Sequence, residues 1–330
     1  MRDLANRALD LARVQGASYA DIRIVRRDNQ SITVKNGNVE ALAISEDQGF
    51  GVRVIVNGFW GFASSSRLEP NELDAVTAAA IRTAKASSQA GGKKVDIGPP
   101  LKHVASYHTP IQKDPFAIPL EDKIAVLLAA DKAMRTVKEI RVAESSFGAL
   151  RESKTFASTE DSYIEQVITE TGGGIEATAV GHDDVQKRSF PNSFGRHQGT
   201  SGYEFFEAMK LAENAERIAE EAAQLLTAKR CTEGVTTIVL DATQLALQVH
   251  ESCGHPIELD RVLGYEAAFA GTSFLTTDKM GTFRYGSDIV NINADATISG
   301  GLGTFGYDDE GVPGQRTPII RNGIFVGYLS

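Results

Sequence analysis

Three Asn-Gly dipeptides, Asn36-Gly37, Asn57-Gly58 and Asn322-Gly323, each separate two strand-like runs. Asn-Gly favours the type I′ turn, whose two central residues both need positive φ, and that turn matches the twist of antiparallel strands. The flanking chain is thereby committed to hairpins: 31–35 with 39–44, 52–56 with 59–63, and 317–321 with 324–329, the last arm running into Ser330. Ala20, Ile22 and Ile24 alternate with Asp21 and Arg23 ahead of the first pair, so the region reads as an antiparallel meander.

Elsewhere the apolar period changes to that of a helix. Leu4, Ala8, Leu11 and Ala12 mark a helix over 3–15, stopped by Gly16. Further helices are expected over 71–88, over 120–137, and over about 203–228, where one face is apolar and the other carries glutamates. Segment 95–119 holds five prolines and reads as a linker or wrapping segment. Runs 140–148, 150–158, 163–170 and 175–181 read as strands, with Gly172-Gly173-Gly174 as a turn, and 288–295 alternates like another strand. The fold class is α+β: helices with antiparallel meander sheets in an N-terminal domain, 1–230, then a sheet-rich region, 231–330, carrying a helix with a metal motif.

Composition narrows the function. A chain of 330 residues with 42% hydrophobic and 23% charged content suits about two globular domains. A net charge of −9 argues against a nucleic-acid binder built on basic patches. Two cysteines, Cys231 and Cys253, make no disulfide framework and fit a reducing cytoplasm. No run of about 18 apolar residues exists, so no membrane span is expected. Trp60 reads as a core aromatic, and His103, His108, His182 and His197 as surface histidines, since nothing around them frames a metal site.

His250-Glu251-Ser252-Cys253-Gly254-His255 reads HExxxH, two imidazoles bracketing a carboxylate. Val235–Leu240 is expected to be a strand and Asp241 the N-cap of a helix running to His255, with Gln244 completing a capping-box-like start. That set is suited to Zn²⁺ hydrolysis, with two His as ligands and the Glu as general base. The spacing is awkward, however. At about 100° per residue, His at i and i+5 stand about 140° apart, too splayed for a regular helix. One widened, π-type turn would realign them, and Gly254 could ease it. Cys253 falls at i+8 from Leu245, on the core-facing stripe, as a packed thiol rather than a ligand. A catalytic zinc usually has three protein ligands. Glu258 and Asp260 are the downstream candidates, either as that ligand or as groups that orient a ligating His.

Gly301-Leu302-Gly303-Thr304-Phe305-Gly306 matches GxGxxG but no helix follows, which removes the dinucleotide reading. Gly301 and Gly303 read instead as a flexible wall able to pair with an extended peptide. Asp308 and Asp309 form an acidic turn, either simply hydrated or recognising a substrate amine.

The run His250 to Asp260 resembles the metalloprotease motif of the TldD/PmbA family, also called modulators of DNA gyrase. Similar too are Gly202-Tyr203-Glu204, Gly51-Val52-Arg53-Val54 with Gly61-Phe62-Ala63, and Tyr307-Asp308-Asp309-Glu310-Gly311. The resemblance covers essentially the whole chain. It implies a cytoplasmic zinc peptidase of the TldD type, holding one Zn²⁺ per chain. Its substrates would be unfolded peptides, including leaders of modified peptides, and it would pair as a homodimer or with a homologous subunit. It makes His250 and His255 the zinc ligands and Glu251 the general base. In the family a third ligand, a Cys, lies in a segment beyond the point where this sequence stops. The expectation is therefore a truncated or separately encoded N-terminal two-thirds. A non-catalytic peptide-binding or regulatory subunit with an empty or incomplete metal site is the alternative.

Overall fold

The computed structural model describes residues 1–329; the end of the last expected hairpin arm, at Ser330, lies outside them. Helix α1 (Arg2–Val14) is followed by strands far longer than the sequence runs suggested: β1 (Tyr19–Lys35), β2 (Asn38–Val56) and β3 (Phe59–Ser65). Asn36, Asn57 and Asn322 all take positive φ, as the Asn-Gly turns require. Helix α2 (Pro70–Ala90), strand β4 (Val104–His108), helix α3 (Leu120–Met134), β5 (Ile140–Ser158), β6 (Tyr163–Val180), β7 (Val185–Phe190) and β8 (His197–Gly199) complete an eight-stranded sheet. Its order is β3-β2-β1-β5-β6-β4, with β7 and β8 also on β6. The β1–β2, β1–β5 and β5–β6 pairs are antiparallel, so the α+β class stands; β4 lies parallel to β6. The proline-rich segment is therefore not all linker, because it contributes an edge strand.

Two corrections have a clear cause. Gly172-Gly173-Gly174 is no turn; it lies in the middle of β6. A Cβ on Gly173 would stand 2.3 Å from the carbonyl oxygen of Ser146 and 2.6 Å from the Phe206 ring. On Gly172 and Gly174 it would stand 2.0 and 2.2 Å from the carbonyls of His197 and Gly195. Backbone of 195–198 crosses one face of β6, and the Ser146 carbonyl of the neighbouring strand with the Phe206 ring crowds Gly173, so only glycine fits. The helix expected over about 203–228 is two, α4 (Tyr203–Ala208) and α5 (Leu211–Leu225), separated at Lys210, whose φ is +50°.

Two apolar clusters cover one sheet. Helices α1 and α2 bury Leu9, Leu73 and Ile81 against Ile22, Val52 and Val54. Helices α3 to α5 bury Leu127, Phe206 and Ile218 against Ile32, Phe147 and Ile175. Trp60 meets Tyr19 edge-on, at 5.9 Å between centroids, and lies under Arg53.

After α5 the chain carries the metal motif. Val235–Leu240 is not the expected strand: it is unpaired and exposed. Helix α6 (Ala242–Val249) begins at Asp241, whose carboxylate accepts from the backbone N–H of Thr243 at 2.8 Å; the cap is as expected, through Thr243 and not Gln244. Helix α7 (Leu259–Val262) follows, then β9 (Ile292–Asp295), β10 (Arg316–Arg321) and β11 (Ile324–Phe325), a small antiparallel sheet ordered β11-β10-β9. Cys253, Ile257, Leu275, Ile319, Ile320 and Phe325 form a third buried cluster, which seats the motif on that sheet.

Candidate metal centre

The α-helix stops at Val249, and His250–Gly254 form a single π-type turn. A widened turn is what the five-residue spacing demanded, and it brings the imidazoles together at 4.5 Å between centroids. Gly254 does not enable it. Its φ is −56°, ordinary for any residue, and the nearest atom to an added Cβ is 3.8 Å away. The next residues, His255–Ile257, close as a 3₁₀ turn.

Nε2 of His250 and Nε2 of His255 each lie 3.9 Å from a different oxygen of the Glu251 carboxylate. Ligating atoms of these three residues all fall within 4.8 Å of one another, and this is the one such group among the described residues. Two imidazole nitrogens and a carboxylate oxygen are the donor set Zn²⁺ accepts, so the residues fit the ion. The site is open: the side chains of His250 and Glu251 are 60% and 62% exposed.

On the other edge of His255, Nδ1 lies 2.8 Å from Oε1 of Glu258. An ionised carboxylate only accepts, so Nδ1 is the donor in this contact, which in the neutral ring leaves the lone pair on Nε2. Arg261 Nε lies 3.1 Å from Oε2 of the same carboxylate. The sequence left Glu258 either a ligand or an orienting group; the structure places it behind His255, outside the three-residue group. Asp260 instead accepts from the N–H of Arg261 and is also outside the group. Arg261 was missed, for a basic residue one turn after a carboxylate is an ordinary helix pattern.

Cys253 is buried in the third cluster, as expected for a packed thiol, although Leu245 on the same stripe is exposed. Burial pushes its thiol above the usual range, opposed by the Tyr285 hydroxyl.

The glycine-rich wall and acidic turn are not gathered at the motif. Gly301 accepts from the Thr200 hydroxyl at 2.8 Å, and Gly300 bridges to Thr200; Gly303 is exposed. Asp308 folds back on the N–H groups of Glu310 and Val312, at 2.8 and 2.9 Å. Asp309 pairs with Lys154 at 2.6 Å, and Glu310 with Arg53 at 2.7 Å. Gln166 accepts from the N–H groups of Gly306 and Tyr307 and donates to the Tyr307 carbonyl. The acidic turn is thus paired internally with Lys154 and Arg53 on the large sheet, while the side chains of Asp309 and Glu310 stay 69% and 62% exposed. Burial raises the Asp309 carboxyl, but Lys154 outweighs it and holds the group below its ordinary value.

Three family models match in succession: PmbA/TldA metallopeptidase domain 1 over residues 20–86, the central domain over 113–230, and the C-terminal domain over 233–330. The chain belongs to the PmbA/TldD metallopeptidase family. A family relative described as a metalloprotease, from Methanocaldococcus jannaschii, is 31% identical over 315 residues, covering 94% of this chain and 65% of its own length. A protein named zinc metalloprotease TldD homolog, from Saccharolobus solfataricus, is 23% identical over 324 residues, covering 96% of this chain and 65% of its own. The chain therefore spans just under two thirds of the length of each. A solved structure described as a modulator of DNA gyrase, from Bacteroides thetaiotaomicron, superposes with a TM-score of 0.75 at 18% identity, covering 99% of this chain and 71% of that one. At that identity the likeness is one of fold. No helix among the described residues is long and apolar enough to cross a membrane.

Proposed function

We propose that this chain carries the zinc site of a cytoplasmic peptidase acting on unfolded or extended peptides, with one Zn²⁺ per chain. His250 and His255 are the ligands through Nε2, and Glu251 is the general base. The observation that carries the reading is the π-type turn, which gathers His250, Glu251 and His255 at a spacing that a regular helix would splay. A bound zinc ion supplies Lewis acidity, which acidifies water and polarises a peptide carbonyl. Glu251, between the two imidazoles, takes a proton from the attacking water and returns it to the departing amine; proton transfer of this kind contributes about 10²–10⁴-fold. Glu258 holds His255 in the tautomer that leaves Nε2 free. Family membership supports pairing with a second copy or a homologous subunit.

One observation favours the alternative, a peptide-binding or regulatory subunit without turnover. The site lies open, with His250 and Glu251 mostly exposed, so no described residue shields them from water. Glu251→Gln separates the two. A peptidase loses turnover on a quenched fluorescent peptide by at least about 100-fold while keeping its zinc and its peptide affinity. A chain that shows no turnover before the substitution, and binds peptide equally after it, is the binding subunit.

A further inference from the structure

The centre has a layer behind its histidine that the motif does not include. Arg261, on α7, has a side chain only 17% exposed. Its Nε lies 3.1 Å from Oε2 of Glu258 as an ion pair, without the alignment of a hydrogen bond, while Oε1 of that carboxylate lies 2.8 Å from Nδ1 of His255. Its Nη2 lies 3.4 Å from the same Nδ1 and 4.0 Å from Glu266. The geometry at Nδ1 is a contest. A bare Nδ1 would accept from Arg261, leaving the proton on Nε2 and closing that nitrogen to a metal. A protonated Nδ1 donates to Glu258 and frees Nε2. The shorter contact favours Glu258, and the charge of Arg261 serves that outcome by attracting the far oxygen of the carboxylate. Glu258 is also fixed through the backbone: the N–H of Leu259 donates to Leu329, and that of Leu329 to Ile257. The Arg261 side chain is largely enclosed and that of Glu258 is 35% exposed, so the pair is less screened than a fully exposed salt bridge.

We infer that Arg261 is a positioning residue for the metal centre: it holds the Glu258 carboxylate against Nδ1 of His255, so that Nε2 stays unprotonated and faces Glu251. The inference rests on the reading of His255 as a ligand, and deepens it. It assigns this chain a three-residue relay, Arg261 to Glu258 to His255, in which only the last member meets the ion. Partners behind ligating histidines typically change metal affinity by about 10–100-fold when removed.

The test uses the 330-residue chain with two readouts. Zinc affinity is measured by competition with a chromophoric chelator, and the His255 tautomer of the metal-free protein by ¹⁵N NMR with labelled histidine. Arg261→Gln is expected to raise the zinc Kd about tenfold or more and to turn a dominant Nδ1–H tautomer into a mixture. In a Glu258→Ala background the same change should add less than about twofold, because Arg261 acts through that carboxylate. Arg261→Lys, which keeps the charge without the planar fork, should fall between wild type and Arg261→Gln. The inference is overturned if Arg261→Gln leaves both Kd and tautomer unchanged, or adds the same factor with and without Glu258. Should the wild type bind no zinc, the metal reading fails by itself, and the tautomer still decides the role of Arg261.

Discussion

Replacing Gly173 with alanine should be among the most damaging single-methyl changes in this chain. The added Cβ would lie 2.3 Å from the carbonyl oxygen of Ser146 and 2.6 and 2.9 Å from two carbons of the Phe206 ring. The first neighbour is backbone of β5, tied to β6 on either side of Gly173 by the pairs Gly148–Gly172 and Ser146–Gly174. It cannot retreat without parting the two central strands. The second is a fully buried ring in the larger cluster, stacked edge-on with Phe147 at 5.0 Å. Overpacking a core typically costs about 1–3 kcal/mol, and with a backbone neighbour the upper figure applies. At about 2–4 °C per kcal/mol for a body of 150–250 residues, that is a fall of about 6–12 °C in Tm. Urea and thermal unfolding, followed by far-UV circular dichroism, measure it. Gly303→Ala is the control: no neighbour lies within 4 Å of its Cβ, and the change should stay within about 0.5 kcal/mol. A Gly173→Ala protein as stable as that control would refute the continuous β6 strand and restore the exposed glycine turn.

Other outcomes follow from single contacts. Lys154 holds the folded-state value of Asp309 below that of the unfolded chain, so this pair stabilises the docked turn above the ordinary carboxylate range, near about pH 4. That contribution is lost as pH falls through the depressed value; proteolysis across 305–313 should rise there in wild type, and Asp309→Asn should already be cleaved faster at neutral pH. Cys231 is exposed and Cys253 buried with its thiol pushed up by burial, so a thiol reagent at pH 8 should modify one cysteine quickly and the second only on unfolding; equal rates would contradict the packing of the motif. Helix α6 has no buried residue and begins on the Asp241 cap, so Asp241→Ala should speed amide exchange severalfold over 243–249 and weaken zinc binding, with no change in the large sheet.

The parts of this account that the sequence made legible are those fixed by local chemistry. Asn-Gly turns need positive φ whatever surrounds them, and the hairpins followed. The His250 to His255 spacing has one economical helical solution, and the widened turn is present. Cys253 is buried as expected, although Leu245 at the head of its stripe is exposed. What was not legible depends on contacts distant in sequence. Gly172 to Gly174 look like a turn until backbone from 195–198 is seen crossing one face, with the Ser146 carbonyl of the paired strand and the Phe206 ring crowding Gly173. Val235–Leu240 has strand composition but no pairing partner among the described residues, so composition alone misled. The ion partners of Asp309 and Glu310, Lys154 and Arg53, were not legible because they lie more than a hundred residues earlier. Arg261 carried no signal apart from its distance to Glu258.

The measurement that bears most directly on the metal centre is zinc per chain. Protein purified without a metal-binding tag, then dialysed against a low excess of zinc and freed of unbound ion, is analysed for elemental content beside a His250→Ala/His255→Ala variant. One zinc per chain in the wild type and almost none in the variant is the predicted result. A wild type without zinc, or a variant that retains as much, would contradict the assignment of the site to these two histidines.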